Sequence, residues 1–156
     1  MIYFPENLER ICFERKDDLD GYIRYIFTAK EEYMSAVKLS PLWKSSLPFA
    51  VSAFGDIFAW DQKDNLILLY KFSDGAVKIL MSGSEFYDAN IHDAEFQKDF
   101  FDLTLYHAAK EKLGILQEKQ SYIFVPSPAF GGSKDINSIQ IGDTRAYLGW
   151  LCAIQQ

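Results

Sequence analysis

The chain has 156 residues, 49% of them hydrophobic and 16% aromatic, which is too apolar a composition for a disordered or linker protein. Sixteen lysines and arginines stand against 22 aspartates and glutamates, and the net charge of −6 argues against direct binding of nucleic acid, whose phosphates would be repelled. The length predicts one domain over residues 1–156, and the acidic charge would favour encounter with a basic protein, although ordinary solubility is its simpler explanation.

The first half of the chain predicts one strand, one helix and then a run of four strands. Residues 22–27 are rich in β-branched and aromatic side chains, which is typical of a strand. Thr28 and Glu31 have the spacing of a capping box, so we expect a helix over residues 29–39, before Pro41 stops it. The four strands that follow are expected at residues 49–54, 57–60, 66–72 and 77–81.

The last two of these strands are expected to form an antiparallel hairpin, because the connection at residues 73–75 ends in a glycine that can adopt a left-handed conformation. Residues 66–70 are apolar on both faces, which predicts an interior strand that is covered on both sides of the sheet. Lys71 and Lys78 fall at equivalent positions of the hairpin, and both are expected to face solvent.

The second half predicts helices interrupted by two short strands. Three phenylalanines precede a helix that ends at Gly114, and strands are expected at residues 122–125 and near residues 136–141. A last helix is expected to be capped by Asp143 or Thr144. The residues expected to face inward on the two helices are Leu103, Tyr106, Ala109, Leu113, Tyr147, Leu148, Leu151 and Ile154. Together these elements predict an α+β fold with a central, mainly antiparallel sheet of about five to six strands and packed helices.

Few side chains have the surroundings that catalysis requires. His107 lies on a predicted helix, where a packed or boundary imidazole is favoured over a general base. Cys12 and Cys152 stand in apolar segments without neighbouring metal ligands and are expected to be buried free thiols. The sequence contains no Gly-x-Ser-x-Gly nucleophile elbow. We therefore expect no catalytic residue, no metal site and no cofactor.

The segment Gly131-Gly132-Ser133-Lys134 admits two interpretations. Consecutive backbone amides followed by a lysine can cradle a phosphate group. A Walker loop, however, opens a helix, whereas here Pro126 precedes the glycines and a short strand is expected to follow. A turn is therefore favoured over a nucleotide site.

Aspartates occur in several close pairs, and most of these, such as Asp61 with Asp64, are expected to be solvated surface groups. Asp56 differs because it follows Gly55 between two predicted strands. Its carboxylate is expected to accept backbone amides within the turn rather than to act as an acid.

Two motifs in the chain occur together in a known family. The first is Ala53-Phe54-Gly55-Asp56-Ile57-Phe58 with Trp60-Asp61, in a predicted hairpin. The second runs from Leu113-Gly114-Ile115-Leu116 through Phe124-Val125-Pro126 to Gly131-Gly132-Ser133, before the last helix. With its motifs in this order, the chain resembles the C-terminal domain of the GAD-like immunity proteins of bacterial type VI secretion.

The resemblance divides the chain into a degenerate GAD-like portion at residues 1–46 and an immunity-type portion at residues 47–156. It implies immunity to a nuclease-type effector, a DNase, which the chain would bind and whose active site it would block without catalysing a reaction. The positions that form its structural motif are Phe54, Gly55, Asp56, Trp60, Asp61, Pro126, Gly131 and Gly132.

The resemblance and the acidic charge together suggest how such an effector would be bound. The chain would occupy the basic groove in which the effector holds DNA, as a monomer or weak homodimer. The aspartates expected at that contact are Asp61, Asp64, Asp88 and Asp93. No segment approaches the roughly 20 apolar residues that a membrane helix needs, and the cytoplasm is the expected location. The alternative function is a non-catalytic ligand-binding or regulatory module on the same scaffold.

Overall fold

The computed structural model describes residues 19–27, 29–44, 46–82 and 92–154. Within them, five strands form an antiparallel sheet whose spatial order follows the order of the chain. These strands are β1 (Ile23–Tyr25), β2 (Ser46–Ser52), β3 (Ile57–Asp61), β4 (Leu66–Lys71) and β5 (Ala76–Ser82).

A second, two-stranded sheet and the helices complete the described part of the chain. The second sheet pairs β6 (Gln120–Phe124) with β7 (Ile139–Asp143) in antiparallel register. The helices are α1 (Lys30–Val37), α2 (Ala94–Phe100), α3 (Leu103–Leu113) and α4 (Thr144–Ile154). The predicted α+β class is confirmed. In the ranges that the structure describes, no helix is long and apolar enough to cross a membrane.

Strands β4 and β5 form the predicted hairpin. Tyr70 pairs with Val77, and the chain turns through a short 3₁₀ segment at Phe72–Asp74. Gly75 follows with a φ of +68°, the left-handed conformation expected of it. Because β4 lies between β3 and β5, the prediction of an interior strand is confirmed as well.

Both faces of the sheet are covered over β3 and β4, whose side chains alternate between two cores, whereas much of the edge strand β5 is exposed. One core contains Phe58 and Leu69 and includes side chains from α3 and β6. The other contains Ile57 and Tyr70 and includes side chains from α1 and α4. The buried residues of α4 are Thr144, Tyr147, Leu148, Leu151 and Cys152. Ile154 lies at the margin of this helical stripe and is exposed, so its predicted inward orientation is wrong.

Several element boundaries differ from the prediction for local reasons. Strand β2 begins at Ser46 and includes Pro48. Pro48 lies where the register between β2 and β3 shifts, and a residue without a backbone N–H is tolerated at such a point. Residues 136–138 form a 3₁₀ turn instead of a strand. Ala29 occupies the N-cap position of α1 without a side-chain hydrogen bond, and Thr28, the expected cap, lies outside the described residues.

Candidate functional site

The two glycine-containing motifs of the sequence lie against each other in the structure. The rings of Phe54 and Phe124 stack with centroids 5.4 Å apart. The backbone N–H of Tyr122 donates to the carbonyl of Ala53 at 2.8 Å. The β2–β3 turn is therefore fixed directly against strand β6, and residues some seventy positions apart share one site.

The β2–β3 turn is organised by Ser52. Its hydroxyl oxygen accepts the backbone N–H groups of Phe54 and Asp56, each at 3.1 Å, and its O–H donates to Asp56 Oδ2 at 3.1 Å. Gly55 between them has a φ of +82°. The expectation that the Asp56 carboxylate accepts the turn amides is wrong, because Ser52 binds those amides and leaves the carboxylate to face a lysine.

That lysine belongs to a group of charged side chains that we call the ion cluster. Lys71 Nζ lies 3.9 Å from Asp56 Oδ2 and 3.1 Å from Asp102 Oδ2. Lys134 Nζ lies 3.3 Å from Asp102 Oδ2 and 2.8 Å from Asp74 Oδ2. The members of the cluster are Asp56, Lys71, Asp74, Asp102 and Lys134. It joins the β2–β3 turn, the end of β4 with the 3₁₀ turn that follows it, the start of α3, and the segment after the second motif.

The position of Lys71 corrects the expectation that it faces solvent, since only 4% of its surface is exposed. Lys71 is two residues beyond Leu69 on the same face of β4, and that face packs against the core. Lys78 does lie at the surface as expected, where its Nζ donates to the carbonyl of Asp99 at 3.1 Å.

The protonation of the ion cluster follows from burial and from its lysines. Burial raises the pKa of Asp56 above its usual range, with Lys71 opposing the shift. Burial would also raise the pKa of Asp102, but the ammonium groups of Lys71 and Lys134 outweigh it and the pKa is lowered. Burial would lower the pKa of Lys134, and the hydrogen bond to Asp74 with the nearby carboxylates raises it instead. Asp102 is thus held ionised by two cations.

A cleft of about 720 Å³ opens beside the ion cluster. Asp102 and Lys134 line it together with apolar side chains such as Phe101, Leu103 and Ile136. The described residues that line it include no histidine or cysteine, and a carboxylate with a lowered pKa is a weak general base. The arrangement is suited to binding an amphipathic group and offers no activated nucleophile.

The phosphate-loop interpretation of residues 131–134 is not supported by the geometry. Gly131, with a φ of +88°, ends a 3₁₀ turn at Pro128–Phe130, and the N–H of Gly132 donates to the carbonyl of Ser127 at 3.0 Å. Lys134 is bound to the carboxylates of the ion cluster, and the segment leads into another 3₁₀ turn rather than a long helix. The favoured interpretation, a turn, is confirmed.

The structure places the predicted partner-binding aspartates at the surface or outside the described residues. Asp61 Oδ1 accepts the N–H of Lys63 at 3.0 Å, and Asp93 Oδ2 accepts the N–H of Phe96 at 3.0 Å as the N-cap of α2. Asp64 is exposed. Asp88 lies outside the described residues. Contact of these carboxylates with a partner remains a prediction.

Trp60 and His107 both lie near the surface of the fold. Trp60 Nε1 donates to Asn65 Oδ1 at 3.0 Å across the β3–β4 turn. His107 is exposed on α3 instead of packed, with its ring centroid 5.4 Å from that of Tyr106.

Cys152 is the expected buried free thiol, and burial raises its pKa to about 11. Cys12 lies outside the described residues. Across those residues, no three histidine, cysteine or acidic side chains are grouped so as to hold a metal ion.

A second concave surface, which we call the aromatic groove, lies between β6 and α4. It has a volume of about 330 Å³. Its lining residues are Ile123, Phe124, Val125, Pro126, Ser127, Asp143, Ala146, Tyr147 and Trp150. The ring of Phe130 meets that of Trp150 edge-on at 6.1 Å and extends the groove. Sequence reasoning identified Pro126 as a motif residue but did not identify Trp150.

Comparison with known proteins bears on the half of the chain that contains this groove. Residues 82–155 match the family model described as "T6SS immunity protein Tdi1, C-terminal". The match supports a type VI secretion immunity family. It covers a little under half of the 156 residues and includes the whole aromatic groove. The hairpin motif at residues 53–61 lies before the matched segment.

The fold also resembles that of a solved protein. The chain superposes on the crystal structure of Atu4351 from Agrobacterium tumefaciens with a TM-score of 0.61 and 18% sequence identity, over 86% of this chain and 67% of that chain. At this identity the likeness concerns the fold alone. The comparison with curated proteins gave no match.

Proposed function

We propose that this chain is an immunity protein that binds a cognate type VI secretion effector and neutralises it. The observation that carries the proposal is the match of residues 82–155 to the C-terminal family of such a protein. The family resemblance of the sequence gives further support, because it also includes the hairpin motif at residues 53–61. That motif lies before the matched segment and is followed by the second motif in the family's order.

Neutralisation would occur by binding and not by catalysis. Asp102, the carboxylate at the cleft, is paired with two lysines, and Cys152 is buried with a raised pKa, so neither is activated for reaction. The ion cluster instead connects four segments of the fold. Because these segments are held together, the protein surface that they form loses little conformational entropy on binding. A small entropy loss favours tight inhibition.

We further propose that the effector is a nuclease and that the chain covers its active site. The support is electrostatic: a net charge of −6 complements a surface built to hold DNA. The carboxylates of Asp61, Asp64, Asp88 and Asp93 would contribute to this contact. Such an effector acts on DNA, so we place the encounter in the cytoplasm, with the chain acting as a monomer or weak homodimer.

Co-expression with the protein encoded by the adjacent reading frame tests the proposal. We expect the two proteins to co-purify and the chain to abolish growth inhibition by that protein. A plasmid-cleavage assay then tests the nuclease proposal, and excess duplex DNA should compete with the chain if it covers the DNA-binding groove. Failure of wild-type chain to bind or protect would contradict immunity, whereas protection from a protein that cleaves no DNA would contradict only the nuclease proposal.

The cleft beside the ion cluster favours one second candidate, a ligand-binding or regulatory module. Its volume of about 720 Å³ is within the range of small-molecule sites, and it combines apolar walls with Lys134 and Asp102. Native mass spectrometry of the purified chain would detect a retained small molecule. A stoichiometric adduct that is lost in Leu105→Trp, which fills the cleft, would favour this function over immunity.

A further inference from the structure

The aromatic groove exposes two large aromatic side chains that lie next to each other. Trp150 is 51% exposed and Phe130 is 44% exposed, and their rings are in contact. Single exposed apolar side chains are common on soluble proteins, but a contiguous aromatic pair beside a concavity marks a binding surface. Tryptophan is also enriched among the residues that dominate binding energy at protein interfaces.

The groove is formed before any partner arrives. Its floor is made by the buried residues Phe124 and Tyr147, and the Tyr147 hydroxyl donates to the Phe124 carbonyl at 3.5 Å. Ser127, also buried, donates to the carbonyl of Ser73 at 2.7 Å and ties the rim to the β4–β5 turn. A preformed groove loses little conformational entropy on binding.

The charges around the groove define the partner. Among the described residues that line the groove, Asp143 is the one that carries a charge, and it is exposed. Its Oδ1 accepts the N–H of Ala146 at 2.8 Å. The neighbouring Arg145 is directed to Glu32 on α1, with Nη1 and Oε2 2.7 Å apart. The rim of this apolar groove is therefore acidic, which complements a basic group next to an apolar one.

We propose that the aromatic groove is the docking site for an apolar side chain of the effector that has a lysine or arginine beside it. This inference rests on the proposed immunity function and adds the surface and the chemistry of the contact. The apolar side chain would insert between Val125 and Trp150, and the basic residue would pair with Asp143. All three positions lie within the segment that matches the immunity family.

A second copy of the chain fits the groove less well. A two-fold dimer through this surface would bring the groove of each copy against the other, and both rims carry Asp143. Like charges would then approach each other, and the part of the lining that the structure describes contains no lysine or arginine to offset them. The effector is consequently the favoured occupant.

Binding of the effector from the adjacent reading frame, measured by calorimetry with wild-type and variant chains, tests the inference. We expect Trp150→Ala to weaken the Kd by about 30-fold or more and Phe130→Ala by about tenfold, since central aromatic residues dominate interfaces. Asp143→Asn, which retains a cap acceptor, should weaken it about threefold to tenfold and reduce its dependence on salt. The matched control is Ile115→Ala, an apolar residue that is 72% exposed on another part of the surface, with an expected change below about twofold.

The outcomes separate this inference from the proposed function. If the wild-type chain does not bind the effector, both are overturned. If it binds and neither Trp150→Ala nor Ala146→Arg changes the Kd beyond the control, the groove alone is overturned. Ala146 is exposed on α4, so Ala146→Arg fills the groove and repels a basic partner without disturbing the core. Self-association of the wild-type chain that Trp150→Ala abolishes, with effector binding unchanged, would assign the groove to a second copy instead.

Discussion

Lys71 Nζ lies 3.1 Å from Asp102 Oδ2 at the point where the end of β4 meets the start of α3. The lysine is buried, and its Nζ also lies 3.9 Å from Asp56 Oδ2. A buried ion pair gains little over an apolar pair of the same shape, but removal of one partner leaves an uncompensated charge in the interior. The stability of the fold therefore depends most on Lys71 and the two carboxylates that face it, since Lys134 and Asp74 are partly exposed.

Lys71→Met should consequently destabilise the protein by about 3 kcal/mol or more, because Asp56 and Asp102 both lose a cation that faces them. Lys78→Met provides the matched control, since Lys78 is an exposed lysine on the partner strand of the same hairpin. Its change should stay within about 0.5 kcal/mol. Urea unfolding gives the free energy of unfolding of both variants. Equal values for the two variants would contradict a structural role of the cluster.

The two aspartates beside Lys71 should affect the pH dependence of stability in opposite directions. The pKa of Asp102 is lowered in the fold, so its contribution is complete above the unfolded-state pKa of roughly 3.9 and is lost as the pH falls through the folded-state pKa. The pKa of Asp56 is raised, so its contribution is complete below roughly 3.9 and is lost as the pH rises through its folded-state pKa.

Unfolding free energies of Asp56→Asn and Asp102→Asn, measured between about pH 3 and pH 8, test these signs. The advantage of the wild-type chain over Asp102→Asn should grow as the pH rises, whereas its advantage over Asp56→Asn should shrink. If both differences in unfolding free energy grow with pH, or both shrink, the pKa of one of the two carboxylates is shifted in the opposite direction.

Much of the fold was predictable because local patterns and tertiary packing agree. The continuous apolar run at residues 66–70 predicted an interior strand, and Gly75 predicted the left-handed turn of the hairpin. The boundaries at Pro48 and at residues 136–138 were not predictable, because a register shift and a 3₁₀ turn depend on the neighbouring strand.

The candidate sites were less predictable because their residues come together from distant parts of the sequence. Lys71 was expected at the surface, although its position two residues beyond Leu69 on an apolar strand could have indicated the core face. Asp102 and Lys134 carry no local signal of their pairing. Trp150 lies away from the buried stripe of α4 at residues 147, 148 and 151, so a helical projection predicts its exposure but not the groove beneath it.

The second glycine motif should tolerate substitution unequally. A Cβ at Gly132 would lie 1.8 Å from the carbonyl oxygen of Pro126, a backbone atom that cannot move alone, whereas a Cβ at Gly131 meets nothing within 4 Å. Gly132→Ala should therefore cost several kcal/mol, on the order of 3 or more. Gly131→Ala should cost about 1–2 kcal/mol through its φ of +88°.

Gly149→Ala serves as the control for this pair, because Gly149 lies within helix α4 with nothing within 4 Å of an added Cβ. It should stabilise the protein by about 0.5–1 kcal/mol through helix propensity. Thermal unfolding measures all three variants. A Gly132→Ala protein as stable as Gly131→Ala would contradict the close approach to Pro126.

The thiol of Cys152 should be unreactive in the folded protein. It is fully buried in the core between α1, α4 and the sheet, and burial raises its pKa to about 11. At pH 8 only about one thiolate in a thousand is therefore expected at this position, and reagents cannot reach it. Peptide mapping after iodoacetamide treatment should show the Cys152 peptide unmodified in native protein and modified in urea. Rapid labelling under native conditions would mean that α4 opens from the sheet far more often than its packing implies.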